Sequence, residues 1–318
     1  MRFPRRNRID KKCNLDKNGY LNLEILYKKI IKKNYKKMAT CQNLIDSKDF
    51  HSVVRKLRSF FEGKGFTEVH TQNRLSILAA CEDPTTIATY DYNGETWPLP
   101  QTGQMWLEYE LLKNPEANGF FCLSTSYRNE PNPVEGRHDK IFPMFEFEIK
   151  GGIDELLALE RDLLEHLGFG ESSSFPEGDY EDVARGYGTV ELEHEHEAQL
   201  EKDHGPVFFL KMFPNTTSPF WNMRQSENQP GLANKVDVIV HGMETIGSAE
   251  RSTSVEEMRD QFYKISEGGY SDILFSKFGK ERVEAELDEF LGHQFFQRSG
   301  GGIGVTRLMR AMKLSNLI

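Results

Sequence analysis

Two segments of helical periodicity bracket a stretch where short aromatic and β-branched runs are cut repeatedly by Gly, Pro and Asn, and this alternation narrows the fold more than any other feature. Phe50, Val53, Val54, Leu57, Phe60 and Phe61 recur at three- and four-residue steps from Ser47 until Gly63 and Gly65 interrupt them, the spacing of an amphipathic helix. The pattern returns over Ile153–Leu167, with Ile153, Leu156, Leu157, Leu163, Leu164 and Leu167 in the stripe, Glu160 as its polar member and Gly168 as the stop. Phe66–Thr71, Thr96–Leu99, Phe120–Tyr127, Phe142–Lys150, Val207–Met212 and Lys235–Val240 carry strand-forming residues. Breaks of hairpin length predict an antiparallel sheet flanked by helices, an α+β domain and not a doubly wound one. Residues 170–204 are polar, acidic and weakly periodic, and read as an insertion with a loop and one exposed helix.

With 318 residues, 38% of them apolar, the chain can build one large domain plus a short appendage. No apolar run approaches the roughly 20 residues that span a bilayer, and the N-terminus lacks a secretory apolar core, so no membrane partner is expected and the cytoplasm is the expected location. Cys13, Cys41, Cys81 and Cys122 show no CxxC spacing and read as reduced thiols. The net charge of −9 is unevenly spread: residues 1–37 hold thirteen Lys/Arg against three acids, a balance of +10 that leaves −19 on the remainder. Residues 1–46 are therefore read as a basic extension, an electrostatic arm for RNA or a solvated tail, and 47–318 as the folded domain.

Chemistry concentrates in three patches. In the first, Tyr127-Arg128-Asn129-Glu130 is followed by Arg137-His138 and by Phe142-Pro143-Met144-Phe145-Glu146-Phe147-Glu148. Arg128 can clamp a phosphate bidentately, Glu130 can accept from an adenine amino group and Phe142 can stack on a base, although a polar hairpin with surface ion pairs would use the same residues. In the second, Gly300-Gly301-Gly302-Ile303-Gly304 precedes an apolar helix that carries Arg307 in its first turn; glycines there let a backbone approach a ligand, or simply form a loop. The third runs from Asp237 through Glu244 to Arg251. Its two carboxylates suit Mg²⁺ shared with substrate phosphates.

Together these segments resemble the catalytic core of class II aminoacyl-tRNA synthetases of the aspartate, asparagine and lysine subgroup, over roughly residues 47–312. The first patch is similar to motif 2 and the glycine segment to motif 3. The resemblance implies that Arg128 holds the α-phosphate of ATP, Glu130 reads the adenine, His138 lies by the outer phosphates, Phe142 stacks on the ring and Arg307 grips the γ-phosphate side, with Arg137 a further ATP-binding residue. It implies Mg²⁺ at Asp237 and Glu244, and an amino-acid site at Gln104, Arg251 and Glu82. Gln104 in Thr102-Gly103-Gln104 favours aspartate or asparagine over lysine, and Leu107, where aspartyl enzymes carry a lysine, tilts the reading toward asparagine.

The sequence departs from the family pattern at three places. Thr306 stands where glutamate is usual, and His70-Thr71-Gln72 replaces the proline that ends motif 1, the segment on which a homodimer is expected. Residues 1–46 are too short and too Lys-rich for the five-stranded anticodon-reading barrel. The implied activity is formation of an aminoacyl-adenylate. The acceptor is tRNA on the asparaginyl-tRNA synthetase pattern, or ammonia as in truncated relatives that resemble asparagine synthetases; a non-catalytic binding paralogue is the third alternative. His194-Glu195-His196-Glu197 reads as a solvated helix face, and Trp97, Trp106 and Trp221 as core or pocket wall.

Overall fold

Asp46 opens the first helix of the computed structural model, its carboxylate accepting the N–H groups of Lys48 and Asp49 at 2.9 and 3.0 Å. The structure describes residues 45–72, 75–77 and 83–318. Most of the basic segment, residues 1–44, lies outside them, as do Cys13, Cys41, Cys81 and Glu82. Residues 45–318 cluster as one unit.

In chain order the elements are α1 (Ser47–Gly63), β1 (Thr67–Glu68), β2 (Thr89–Tyr92), β3 (Glu95–Pro98), α2 (Gln104–Lys113), β4 (Gly119–Tyr127), β5 (Ile141–Lys150), α3 (Ile153–Leu167), β6 (Glu177–Asp179), α4 (Tyr180–Gly186) and α5 (His194–His204). Then follow β7 (Val207–Pro214), β8 (Leu232–Val240), β9 (Glu244–Arg251), α6 (Val255–Lys264), α7 (Gly269–Phe278), α8 (Lys280–Leu291), β10 (Arg298–Gly304) and α9 (Val305–Leu314). Eight strands form one sheet in the order β1-β4-β5-β10-β9-β8-β7-β6, and β2 and β3 form a separate hairpin. The six inner strands are antiparallel, as the hairpin-length breaks predict. The two edges, β1 on β4 and β6 on β7, are parallel.

Strand alternation assigns the two faces of this sheet. Phe145, Phe147, Ile149, Val236, Val238, Val240, Ile246 and Ile303 point to one side, where Val53, Val54, Leu57 and Phe61 of α1, the leucines of α3 and Leu308 of α9 bury them. Each such side chain contributes roughly 1.5–3 kcal/mol by leaving water. The intervening residues, Glu146, Glu148, Lys235, Asp237, Arg251 and Arg298, must therefore lie on the opposite face. A second core behind that face packs Met105 and Tyr109 of α2 with Trp221 and the apolar sides of α6, α7 and α8.

Three sequence expectations are revised. The strand expected over 66–71 shortens to Thr67–Glu68, because at the sheet edge only β4 is there to pair with it. Residues 170–204 are not a peripheral loop with one helix: β6 adds to the sheet, and Tyr180, Ala184 and Leu200 from two helices bury against Phe208, Leu210 and Ile239. The few apolar residues are spaced too widely for a periodic signal, yet all converge on one patch. The glycine run 300–304 is a central strand and no loop. Glycine is intrinsically poor in strands, so packing on both sides, described below, decides.

Glu160 faces the apolar core from α3 and is fully buried. Burial pushes its carboxyl up to about 8, with the Asp237 charge adding and the Ser248 hydroxyl and Arg161 opposing. An acid whose folded pKa lies above its unfolded value holds its proton more tightly when folded, so its stabilising contribution is complete below the unfolded pKa near 4.5 and is lost as pH rises toward 8. Glu160→Gln should remove that loss, about 1.4 kcal/mol per pH unit at most across this window. Urea unfolding at pH 5.5 and 7.5 checks it: wild type should lose stability over the interval relative to the variant.

Candidate active site

The β4–β5 hairpin delivers the first group of functional side chains. Arg128 follows β4 directly, its N–H still paired to Lys140 O at 2.8 Å across the hairpin, and its guanidinium lies 5.5 Å from the centroid of the Phe142 ring. In the loop between the strands, His138 Nδ1 and Glu130 Oε2 are 2.8 Å apart. Arg137 donates to Glu197 of α5 at 2.7 Å. From the other side β10 runs into α9, whose first turn carries Arg307. That arginine donates to the backbone oxygen of Glu244 at 2.7 Å and to its carboxylate at 3.4 Å. Arg307 is thus anchored by β9, with Thr306 before it. These residues line a cavity of about 180 Å³, with Arg128, Glu130, Arg137, His138, Phe142, Glu244 and Arg307 all on its wall.

Glu244 and Asp237 differ in their relation to this cavity. Enclosure alone would raise the Glu244 carboxyl, but the charges of Arg307, Lys235 and Arg128 outweigh it and hold the group below its usual range. Asp237 is not on the cavity wall. Burial pushes it up to about 7 against the pull of Lys235, whose Nζ lies 3.2 Å from Oδ2. Its Oδ1 is buried with no hydrogen-bond partner among the described residues. One carboxylate facing the cavity and one orphaned carboxylate oxygen behind it fit a divalent cation that rides on substrate phosphates.

A smaller cavity of about 20 Å³ adjoins the first and shares Arg128, Met144, Gly247 and Gly302 with it. Gln104, Arg251, Lys235 and Phe220 line it. Behind them runs a buried polar network. Gln104 Nε2 donates to Phe147 O at 3.1 Å and to the Glu148 carboxylate. Arg251 grips Glu148 through Nε and Nη2, both at 3.3 Å. Arg298 holds Glu108 at 2.7 and 3.1 Å, and Asn222 donates to both oxygens of the same carboxylate. Burial pushes Glu148 up to about 7 against the pull of Arg251, with the Glu108 charge adding to it.

Register explains the glycines. Gly300 pairs with Glu148 and Gly302 with Glu146 on one side, and with Ala249 and Gly247 on the other. A Cβ at Gly300 would run into the Glu148 carboxylate and come within 2.5 Å of Phe147 O; one at Gly301 would come within 2.5 Å of Ser248 Cβ. The strand is glycine-rich because Glu148 leans over Gly300, the Met144 methyl comes within 2.6 Å of a Cβ at Gly302, and the neighbouring backbone is close at Gly301.

The residues singled out in the sequence therefore gather around two joined cavities, with Asp237 set behind the wall and Glu82 outside the described residues. Leu107 is fully buried against Phe120 and Cys122 and faces away from the site. Sequence reading missed Arg298, Asn222, Lys235 and Glu197, and took Glu108 only as part of the Thr102-Gly103-Gln104 pattern that favours asparagine. Alternation in Phe145-Glu146-Phe147-Glu148 was the available signal for Glu148; nothing local marked the others. The helix read as a solvated face instead touches the site. Glu197 Oε2 accepts the Glu244 N–H at 2.9 Å as well as Arg137, and the His194 ring lies 5.8 Å from that of His138.

Comparison with known proteins agrees with this geometry. The model of the family "tRNA synthetases class II (D, K and N)" matches residues 27–318. The chain belongs to this family. It is 33% identical over 103 residues to an asparagine–tRNA ligase of Sorangium cellulosum, covering 31% of this chain and 21% of that one. An aspartate–tRNA(Asp) ligase of Pyrobaculum aerophilum is 24% identical over 306 residues, covering 85% and 64%. The structure of asparaginyl-tRNA synthetase from Pyrococcus horikoshii, complexed with asparaginyl-adenylate, superposes with a TM-score of 0.67 at 19% identity, covering 83% of this chain and 64% of that one. The chain thus spans less than two thirds of the length of these relatives. In family terms the β4–β5 hairpin is motif 2, and β10 with α9 is motif 3. Among the described residues no helix is long and apolar enough to cross a membrane.

Glu197 makes motif 2 continuous with α5, so Glu197→Ala should free Arg137 and unpin the Glu244 backbone. We expect ATP to bind roughly five-fold more weakly, the loss of about 1 kcal/mol typical of a partly buried ion pair. Titration calorimetry with ATP reads this directly.

Proposed function

We propose that this protein is a ligase that binds ATP with Mg²⁺ and activates aspartate or asparagine as its adenylate. The observation that carries the proposal is the junction of the two cavities at Arg128: phosphate-binding arginines on one side, Gln104 and Arg251 on the other. An amino acid whose side chain points into the small cavity would present its α-carboxylate to the α-phosphorus of ATP in the large one. Attack is in line, pyrophosphate leaves, and no covalent enzyme intermediate is required. Arg128 neutralises charge at the α-phosphate, and Arg137 and Arg307 stabilise the departing pyrophosphate. Phe142, beside Arg128, offers a face for the adenine. Glu244, with Asp237 behind it, would hold the divalent ion, which when bound supplies further charge neutralisation at the phosphates.

Arg251 reads the substrate side chain. Held by Glu148 through Nε and Nη2, its guanidinium lines the small cavity, where a short side chain that ends in oxygen suits it, whereas a lysine ammonium would meet like charge in a desolvated site. Transfer of the acyl group to tRNA, by a homodimer, completes the proposal. The test is amino-acid-dependent ATP–pyrophosphate exchange scanned over all amino acids, then repeated with tRNA and with ammonia. Exchange with aspartate or asparagine is expected. Lysine-dependent exchange would overturn the pocket assignment; no exchange with any amino acid would favour a binding role, and consumption of the adenylate by ammonia would replace tRNA as the acceptor.

A further inference from the structure

We propose that His241, outside both cavities, is the positioning residue that aims Arg137 and Arg307 at the outer phosphates by pinning the turn between β8 and β9 to α5 and α9. The inference rests on the ATP site proposed above and goes one step further, to the residue that holds its arginines in place.

Residues 241–243 turn β8 into β9, and both arginines fasten to carbonyl oxygens at this corner. Arg137 Nη1 donates to Gly242 O at 3.4 Å, and Arg307 Nη1 donates to Glu244 O at 2.7 Å. The aim of each guanidinium therefore follows the path of the backbone through 242–244. That path starts from two left-handed residues, His241 at φ +48° and Gly242 at φ +67°. Glycine takes up such a conformation freely. A histidine stays there only where its surroundings impose it.

The imidazole supplies the constraint through both of its nitrogens. Nδ1 lies 2.8 Å from Glu201 Oε1 of α5, and because a carboxylate only accepts, Nδ1 carries the hydrogen. Nε2 lies 2.7 Å from Oγ of Ser315, the residue that closes α9, and a hydroxyl can give or take a hydrogen bond as the ring requires. The main chain of His241 is held as well: its N–H donates to Pro206 O at 2.8 Å and its carbonyl accepts from Arg310 Nη1 at 3.1 Å. Helix α5 lies close against the turn, since a Cβ at Gly242 would come within 3.0 Å of Ala198 Cα. Glu197, one helical turn before Glu201, accepts the Glu244 N–H at 2.9 Å. Helix α9 carries Arg307 in its first turn and Ser315 at its end. One ring thus joins the helix that presents Arg307 to the corner on which both arginines rest. His241 itself lines neither cavity, so its removal should reach a nucleotide through the arginines.

Titration calorimetry of the full chain with ATP and with AMP, both with Mg²⁺, tests the inference, because AMP lacks the phosphates that the two arginines would hold. His241→Ala should bind ATP roughly ten-fold more weakly and AMP within about two-fold of wild type, since misaimed arginines cost only the outer-phosphate contacts. Ser315→Ala, which deletes one of the two ring contacts and leaves the turn sequence intact, should show the same pattern with a loss of about three-fold for ATP. His241→Gly relieves the left-handed backbone but removes the ring, and should lose ATP affinity as the alanine variant does. Unchanged ATP affinity in Ser315→Ala, or in a folded His241→Ala, overturns the inference. Equal losses for ATP and AMP would reduce His241 to general support of the fold, and wild-type affinity in His241→Gly would show that the ring anchors nothing. Failure of wild type to bind ATP would overturn the nucleotide site and this inference with it.

Discussion

Arg128→Ala should reduce amino-acid-dependent ATP–pyrophosphate exchange roughly 10²- to 10³-fold, the usual cost of removing one preorganised charge at the reacting centre. Arg128 is the charged member of the four residues common to both cavities, and Lys140, just before β5, and Phe142, on it, fix its backbone and its guanidinium. Because that support comes from neighbours that the substitution leaves in place, the fold should persist. In the proposed mechanism the effect should fall on turnover more than on ATP affinity, since Arg137 and Arg307 would still be there for the outer phosphates. Arg128→Lys should recover only part of the loss, because a single ammonium cannot make the paired contacts of a guanidinium. Exchange kinetics with thermal unfolding as a folding control measure it, and exchange at the wild-type rate in Arg128→Ala would remove this residue from the mechanism.

What could be read in the sequence, and what could not, follows from how local each cause is. Ile153–Leu167 is a helix from first to last residue as predicted, since its leucine stripe packs on the sheet and Gly168 takes up the left-handed turn at φ +97°. The motif 2 residues were legible because one hairpin sets all of them in register. The strand character of 300–304 was not legible: it depends on Glu148 and Met144 of another strand, which lie against Gly300 and Gly302. Nor was the retreat of Asp237 from the cavity wall. Alternation correctly puts Asp237 on the same face as Lys235, but it cannot show that the lysine will hold the carboxylate. Glu197 was hidden for a similar reason, as a weakly periodic acidic helix becomes part of the site only through its contact with Arg137.

The buried network is where a single substitution should damage stability most. Glu108 is fully buried and is shared by Arg298, Asn222 and, at 3.8 Å, Arg251. Both arginines are essentially inaccessible to water, at 0% and 1% exposure, and each is held by Glu108 or Glu148. Glu108→Ala would remove the carboxylate that compensates Arg298 and leave two buried cations against the single carboxylate of Glu148. Breaking a buried pair from one side costs about 3–5 kcal/mol, because the remaining charge keeps its desolvation penalty without its partner. In a domain of this size that corresponds to a melting temperature lower by roughly 10 °C. Glu108→Gln keeps the shape and one acceptor, so it should cost less, though the added NH₂ would have to face the Arg298 and Asn222 donors. The paired substitution Glu108→Leu with Arg298→Met should be less damaging than Glu108→Ala alone, since it removes both charges together. Thermal and urea unfolding of the three variants would check that order, and a Glu108→Ala protein as stable as wild type would show that the arginines find other compensation.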